Sequence, residues 1–344
     1  MRVGVFGASG YTGLELLRIL IRHPRFEVAV VTSEQRAGVK LGDAFPSLRG
    51  LLDLTLEASD PALAKQIDFA FTALPHSASA PTVAALRKAG VPVADLSADY
   101  RLRDLESYER WYGRHAAPEW VGRAVYGQPE LHREELRSSE LAACAGCYPT
   151  SVLLPLAPFL RAGLVETGQV LVDSKSGVSG AGRKLEAGYL FAEQDGNCLA
   201  YKVGAVHRHV PEIEQEASLA AGAPVQVTFV PHLLPTIRGI ATSVYLRPKR
   251  RLPASAARAV LEAAYADERF VRVLPEGATP SLQSVRGSNF CDVNAFADER
   301  TGSLILLSAL DNLVKGASGQ AVQCANLMCG FPEELGLLEA PLVP

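Results

Sequence analysis

The sequence predicts an α/β chain in two parts: a doubly wound parallel sheet over residues 1–148, and an α+β half with a mixed or antiparallel sheet over 149–310. A tail, 311–344, is expected to pack back on the first part. Three observations predict this. The chain opens with a short apolar strand that runs into a glycine-rich turn and then a helix-periodic apolar segment. Strand-like and helix-like runs continue to alternate as far as about residue 100, the pattern of a parallel sheet. Past residue 148 longer strand-like stretches dominate.

The first strand is Val3 to Phe6, and the turn is Gly7-Ala8-Ser9-Gly10-Tyr11-Thr12-Gly13. Leu14 to Leu20 follows at helical period, and His23-Pro24 stops the helix because a residue before proline is pushed out of the helical region. Phe26 to Val31 is a second, valine-rich strand. A strand, a glycine turn, a helix and a strand make a Rossmann-like dinucleotide site, in which the pyrophosphate rests on the helix N-terminus. The spacing here is G-x-x-G-x-x-G. After the second strand come Thr32-Ser33-Glu34-Gln35-Arg36 and then Lys40. Hydroxyls with two cations behind them favour NADP over NAD, while Glu34 offers a carboxylate for a ribose hydroxyl.

Ile67 to Leu74 is a third strand, Ala78 to Lys88 a helix, and Val91 to Leu96 a fourth strand. Ligands gather at the carboxyl ends of such strands, which here carry His76, Ser97, Asp99 and Arg101.

Cys144-Ala145-Gly146-Cys147-Tyr148-Pro149-Thr150 then sets a cysteine just before a proline suited to start a helix. A thiol at a helix N-terminus has its pKa lowered from about 8.5 and becomes a nucleophile. Pro155 predicts a short or kinked helix. In the second half, strands are expected at Gln169–Ser174, Val225–Pro231, Gly239–Leu246 and Ser303–Ala309. Lys175 to Lys184 reads as a Gly/Ser loop flanked by cations. His207-Arg208-His209, just ahead of a helix starting near Pro211, supplies an imidazole partner for the cysteine. The tail holds Asp311-Asn312 and a helix of small residues from Gln320 to Met328; Asn312 could present its amide to a nicotinamide.

Hydrophobic residues make up 48% of 344, enough for substantial cores, and a net charge of -3 argues against a nucleic-acid binder. No apolar run is long enough for a membrane span, and the first residues lack a secretory pattern. Six scattered cysteines fit reduced thiols in the cytoplasm; Cys144-x-x-Cys147 and His207-x-His209 have metal-ligand spacing, but nothing completes a site, so no metal is expected.

Taken together, Gly7–Gly13, Ala73–His76, Asp95–Arg101, Tyr126–Glu130, Gly146–Thr150, Ser176–Arg183, His207–His209, Pro235–Gly239 and Asp311–Gly316 resemble the N-acetyl-γ-glutamyl-phosphate reductase family of the aspartate-semialdehyde dehydrogenase superfamily. The resemblance covers the whole chain in family order. It implies a second domain of the glyceraldehyde-3-phosphate dehydrogenase type. It also implies NADPH-dependent reduction of N-acetyl-L-glutamyl 5-phosphate to the 5-semialdehyde and inorganic phosphate, in arginine biosynthesis. Cys147 would be the nucleophile and His207 or His209 the acid/base. The cofactor would be held by Gly7, Ser9, Gly10, Tyr11, Thr12, Gly13, Ser33, Arg36, Leu74, Pro75, Ser176, Gly177, Ser179, Gly180 and Asn312. Substrate would meet His76, Ser97, Arg101, Tyr148 and Arg208, with Lys175, Arg183 and Lys184 as further cations. A homo-oligomer, dimer or tetramer, would form through the second sheet.

Where the family usually has Asn-Pro before Gly-Cys, this chain has Cys144-Ala145. The resemblance also leaves open a close variant that reduces a carrier-linked aminoadipyl phosphate in lysine biosynthesis, which its pattern after Gly-Cys disfavours given Tyr148-Pro149-Thr150 here; the Cys144–Cys147 pair allows a different reading, a non-catalytic NADP-binding redox sensor.

Overall fold

The computed structural model describes residues 1–183 and 185–343. The chain separates into two compact units, Met1–Ala145 with Ala317–Leu338, and Gly146–Gly316 with the tail from Glu339. The segment from 311 onward is thus divided between them.

In the first unit, β1 (Arg2–Phe6), β2 (Glu27–Val31), β3 (Phe69–Thr72), β4 (Val93–Asp95), β5 (Val125–Gly127) and β6 (Leu141–Cys144) form a sheet in the order β2-β1-β3-β4-β6-β5. Every pairing is parallel. Each residue of β3, β4 and β6 is buried, which explains why they are apolar apart from Thr72 and Asp95 at their carboxyl ends: a parallel sheet is covered on both faces. β2 lies on one side of β1 and β3 on the other, so the chain changes winding direction there. The crevice beyond the carboxyl end of β1 is where such sheets take their ligands.

The helix Tyr11–Leu20 buries Leu16, Leu17, Ile19 and Leu20. His23 does more than follow the helix end: it is buried, its Nε2 lies 3.0 Å from Asn326 Oδ1, and burial holds its pKa below the usual value. Asn326 belongs to the helix Gly319–Met328, whose small residues are buried from Gly319 through Leu327. Residues 102–140 carried no assignment from sequence. They hold the helices Leu105–Tyr112 and Pro129–Arg137 on either side of β5. The first buries only Tyr108, so it has no apolar stripe to read.

In the second unit, β7 (Val170–Gly177), β8 (Leu199–Ala200), β9 (Val227–Leu234), β10 (Ile240–Leu246), β11 (Val271–Val273), β12 (Cys291–Asp298) and β13 (Ser303–Leu310) form a mixed sheet in the order β11-β12-β13-β10-β7-β9-β8. β7 runs parallel to β9 and antiparallel to β10. Along β7, β9 and β10 buried residues alternate with more exposed ones, the period of a sheet with one covered face. The helix Cys147–Arg161 lies on β10 and β13, Val210–Ala221 on β9, and Ala254–Tyr265 on β12.

Two expectations are corrected here. Lys175, Ser176 and Gly177 are not loop: they complete β7, paired with β10 on one side and β9 on the other. The turn begins at Val178. The helix after Gly146 starts at Cys147 itself, with Pro149 inside its first turn, and it runs for 15 residues through Pro155 and Pro158. Each internal proline withholds an N–H from the carbonyl four residues earlier. Those carbonyls, of Ser151 and Leu154, accept instead from the Ser308 hydroxyl and the Tyr265 phenol. Tertiary donors replace the missing helical ones.

Candidate active site

The glycine turn of the first unit is shaped for close approach. Gly7 has φ +87°, and a Cβ there would meet Ala73 O at 2.6 Å, so only glycine fits beside the end of β3. A Cβ on Gly13 would sit 2.5 Å from Gly7 O, which forces the helix tightly onto the turn. Gly10 is different: a Cβ would have only Gly7 O nearby, at 3.9 Å, so the backbone stands open at the N-cap of Tyr11–Leu20. No side chain caps that helix. Two crowded glycines around an open one, at an uncapped helix start, match what a pyrophosphate requires.

Thr32 braces the turn. Its hydroxyl accepts from Gly7 N at 3.1 Å and its carbonyl from Ala8 N at 2.9 Å. Ser33 Oγ donates to Ser9 Oγ at 3.0 Å. The Glu34 carboxylate accepts Ser59 N at 2.8 Å, and that bond holds its pKa below the usual value. The Arg36 guanidinium donates to Ala44 O at 2.8 Å and lies over the Phe45 ring.

The strand-end polar residues are largely engaged with one another. Buried Asp95 accepts from the hydroxyls of Thr72, Ser79 and Ser97. Asp99 accepts the N–H groups of Ser77 and Ala80 and the Tyr108 hydroxyl. It thereby holds the loop after β3 with Ser77 at φ +67°. Leu74 and Pro75 belong to that loop, and His76 stands exposed on it, edge-on to Tyr112. Arg101, mostly buried, donates to the carbonyls of Cys144 and Leu96 at 2.8 Å each, bracing the end of β6.

In the second unit, Cys147 is the first residue of its helix, partly exposed, with Gly146 as N-cap. Cys144, Cys291 and Cys324 are buried, and all six cysteines are free thiols. The Gly146 N–H donates to buried Glu212 at 2.7 Å, and Gly146 O accepts from the Thr150 hydroxyl at 2.9 Å. Glu212 sits in the first turn of Val210–Ala221, directly after the His-Arg-His segment. On the other side lies Gly316, in a π-helical turn over Val314–Ser318. A Cβ on Gly316 would come within 2.8 Å of Cys147 Cβ. Sequence reasoning gave neither Glu212 nor Gly316 a role. Its available signals were a carboxylate at the start of the helix after His209 and a glycine in the Asp311–Gly316 run.

The two histidines differ sharply. His207 is buried against the rings of Tyr148, Tyr201 and Phe229, with His209 alongside at 4.9 Å between centroids. Its Nδ1 accepts the backbone N–H of His209 at 3.1 Å. Burial, and then the neighbouring His209 and Lys202, push its pKa down to about 2, so it is neutral. His209 is partly exposed and meets the Tyr148 ring edge-on. Tyr201 donates to the Tyr148 hydroxyl at 3.1 Å, and burial raises the pKa of both phenols. Arg208 is half-buried between the two histidines in sequence.

Ser176, Ser179, Gly180 and Asn312 converge in the same unit. Asn312 accepts Gly239 N at 2.7 Å and donates to Ser179 Oγ at 2.9 Å, leaving one amide hydrogen for a ligand. A Cβ on Gly180 would crowd Ser176 Oγ at 3.1 Å. Gly177 ends β7 with its Cα against the 237–238 backbone. Lys175 is ion-paired with Asp173 on the outward side of β7. Arg183 is exposed, and Lys184 lies outside the described residues.

A parallel nucleotide-type sheet in one unit and a mixed sheet under a cysteine-led helix in the other are the architecture of a two-domain dehydrogenase. Residues 2–139 match the family described as semialdehyde dehydrogenase, NAD binding domain, and residues 147–312 that described as semialdehyde dehydrogenase, dimerisation domain. The fold is that of aspartate semialdehyde dehydrogenase II from Vibrio cholerae, at TM-score 0.74 and 19% identity over 96% of this chain and 98% of that one. The Candida albicans aspartate semialdehyde dehydrogenase solved with NADP gives TM-score 0.67 at 17% identity, over 95% of this chain and 98% of that one. Much greater similarity is found to curated N-acetyl-gamma-glutamyl-phosphate reductases. Those of Geobacter sp. strain M21 and Citrifermentans bemidjiense are each 52% identical over the full length of both chains. That of Pelotomaculum thermopropionicum is 48% identical over all of this chain and 99% of its own. The chain belongs to the N-acetyl-gamma-glutamyl-phosphate reductase family.

Proposed function

We propose that this chain reduces N-acetyl-L-glutamyl 5-phosphate to N-acetyl-L-glutamate 5-semialdehyde and inorganic phosphate, a step of arginine biosynthesis, with Cys147 as nucleophile and NADPH as reductant. The observation that carries this reading is Cys147 at the uncapped start of a buried helix, in a chain about half identical from end to end to reductases of that name. Free N–H groups at the helix start favour the thiolate. That thiolate attacks the acyl carbonyl, the C–O bond to phosphate breaks, and a thioester forms on Sγ. When bound, NADPH supplies the hydride that reduces the acyl carbon. The resulting thiohemiacetal, once its hydroxyl proton is removed, expels the Cys147 thiolate and leaves the aldehyde.

Proton traffic falls to the histidine pair. His207 is neutral and its Nδ1 is committed to the His209 N–H, so we assign it the positioning of its neighbour. His209, less buried, carries the proton. Arg208, His76, Ser97, Arg101 and Tyr148 are proposed to contact or support the substrate.

The pyrophosphate would lie on Gly10, Tyr11, Thr12 and Ser9 between Gly7 and Gly13, and Leu74 and Pro75 would border it. Ser176, Gly177, Ser179, Gly180 and Asn312 would meet the nicotinamide half. NADP is favoured over NAD because Glu34, the carboxylate that could have taken a ribose hydroxyl, already holds Ser59, while Arg36 and Ser33 remain near the end of β2. The 1–148 domain is therefore assigned the cofactor, and 149–310 catalysis and assembly. Leu171 and Tyr245, each 40% exposed, with part-exposed Val230 and Ile305, make an apolar outer sheet face suited to a second copy in a dimer or tetramer.

Among the described residues no helix is long and apolar enough to cross a membrane, in keeping with the cytoplasmic setting proposed for the enzyme. The decisive assay is NADP reduction with N-acetylglutamate semialdehyde. Turnover should require phosphate and vanish in Cys147→Ala; full activity in that variant removes the thioester. His209→Asn should lose far more activity than His207→Asn, and equal, mild losses would reject both as the acid/base.

A further inference from the structure

The covered face of the second sheet carries a row of hydroxyls that the reaction outlined above does not use. Ser174 on β7, Thr242 on β10 and Ser308 on β13 lie directly opposite one another across three neighbouring strands. All three are 2% exposed or less, and so is Ser151 on the helix above them. Hydroxyls in the middle of a sheet's apolar face cost stability unless each finds a partner. Here each does. Ser308 donates to Ser151 O at 2.6 Å, the carbonyl that Pro155 leaves without a helical donor. Ser151 Oγ donates to Tyr148 O at 2.8 Å.

Each hydroxyl has a single proton, which fixes the direction of the rest. Since the Ser151 proton goes to Tyr148 O, its 2.8 Å contact with Thr242 must be donated by Thr242. The Thr242 proton being spent, the 2.7 Å contact with Ser174 must be donated by Ser174. The chain therefore reads Ser174 to Thr242 to Ser151 to the Tyr148 carbonyl, and bonds aligned in one direction strengthen one another. It ends on the carbonyl of Tyr148, the residue immediately after Cys147. The same residue's ring packs against both His207 and His209.

We propose that Thr242 is a positioning residue for the nucleophile: the Ser174–Thr242–Ser151 chain sets the rotation and height of the first turn that carries Cys147 and Tyr148. This rests on the reading of Cys147 as nucleophile. Position within that turn governs catalysis because a displacement of about 1 Å at a reacting group costs up to about a hundredfold in rate. A row of valines would pack the same face equally well but would not specify that position.

The test is Thr242→Val, which keeps shape and removes both bonds, compared with Thr242→Ser, which keeps them, and with Tyr265→Phe, which frees the Leu154 carbonyl further along the same helix. Turnover is read alongside the pH profile of iodoacetamide labelling at Cys147, followed on its own peptide by mass spectrometry. We expect Thr242→Val to lose about tenfold in kcat. Its labelling midpoint should rise by about half a pH unit. Thr242→Ser should restore both, and Tyr265→Phe should lower Tm without moving the labelling profile. If Thr242→Val lowers Tm alone, or shifts labelling no more than Tyr265→Phe does, the proposal is wrong. If Thr242→Val does not fold, Ser174→Ala, which removes the head of the chain and spares the bond to Ser151, must raise the labelling midpoint in the same direction, and an unmoved profile would overturn the proposal. Turnover retained by Cys147→Ala would overturn the thioester instead, while labelling of the cysteine in Thr242→Val would still report on the hydroxyl chain.

Discussion

Replacing Gly316 by alanine should disable Cys147 while leaving its thiol in place. The added methyl would stand 2.8 Å from Cys147 Cβ, 3.2 Å from its Cα and 3.3 Å from Leu310 Cδ1. Carbon atoms rest about 3.5–4.0 Å apart, so the closest pair overlaps by roughly 0.7 Å or more. The Leu310 methyl is a side-chain end that can give way, but the two closer atoms, Cys147 Cβ and Cα, are fixed to the start of the helix. Either the π-helical turn or the first turn of the helix must move by most of that overlap. Overpacking of this kind costs about 1–3 kcal/mol. A shift approaching 1 Å at Cys147, the proposed nucleophile, would cost about ten- to a hundredfold in turnover. We therefore expect Gly316→Ala to fold with a moderately lowered Tm, to bind NADP with little change, and to lose at least about tenfold in kcat. Steady-state assay of phosphate-dependent NADP reduction, with cofactor binding followed by fluorescence, separates these effects. Wild-type kcat in a folded Gly316→Ala protein would refute the close packing of this turn on Cys147.

Three further outcomes follow from the geometry. Gly13→Ala puts a methyl 2.5 Å from Gly7 O, so NADP affinity measured by calorimetry should fall sharply while the second unit's labelling of Cys147 is preserved. Ser308→Ala strips the Ser151 carbonyl of its donor inside the core, which should cost about 1–3 kcal/mol in urea unfolding. Buried His207 has a folded pKa pushed down to about 2 from 6.5, so the unfolded chain binds the extra proton as pH falls below 6.5. Its contribution is whole above that pH and lost below it at up to about 1.4 kcal/mol per unit. His207→Asn should flatten the acid limb of stability against pH by that slope, and an unchanged limb would show that the imidazole is not buried neutral.

The glycine turn illustrates how far sequence carries. Gly7, Gly10 and Gly13 could be read because the demand on them is local: a strand, a turn and a helix adjoin in the chain, and their roles depend on that succession. The place of Cys147 at a helix start was legible for a similar reason, since the Gly-Cys-Tyr-Pro order belongs to a helix start wherever it packs. Among the described residues, β7, β9, β10 and β13 of the second sheet were legible as strand-like runs, whereas β8, β11 and β12 were not. Lys175 to Gly177 was misread because serine and glycine suggest a loop, while the pairing that makes it a strand comes from β9 and β10, more than fifty residues later in sequence.

Pro155 was misread in the same way, and for the same physical reason. Taken alone, it should break a helix; with Ser308 and Tyr265 donating to the two orphaned carbonyls, the helix continues. The difference between His207 and His209 was equally invisible, because two residues apart in sequence they look alike, and only the aromatic surroundings of the first keep it neutral. Sequence by itself determined the two-part α/β plan, the nucleotide turn, the cysteine and the family, all of them properties of short contiguous segments. Only the tertiary structure decided which groups brace that cysteine: Glu212 on Gly146, Gly316 against its Cβ, and the hydroxyls beneath its helix come from elements that no local pattern links, and they meet because packing brings them there.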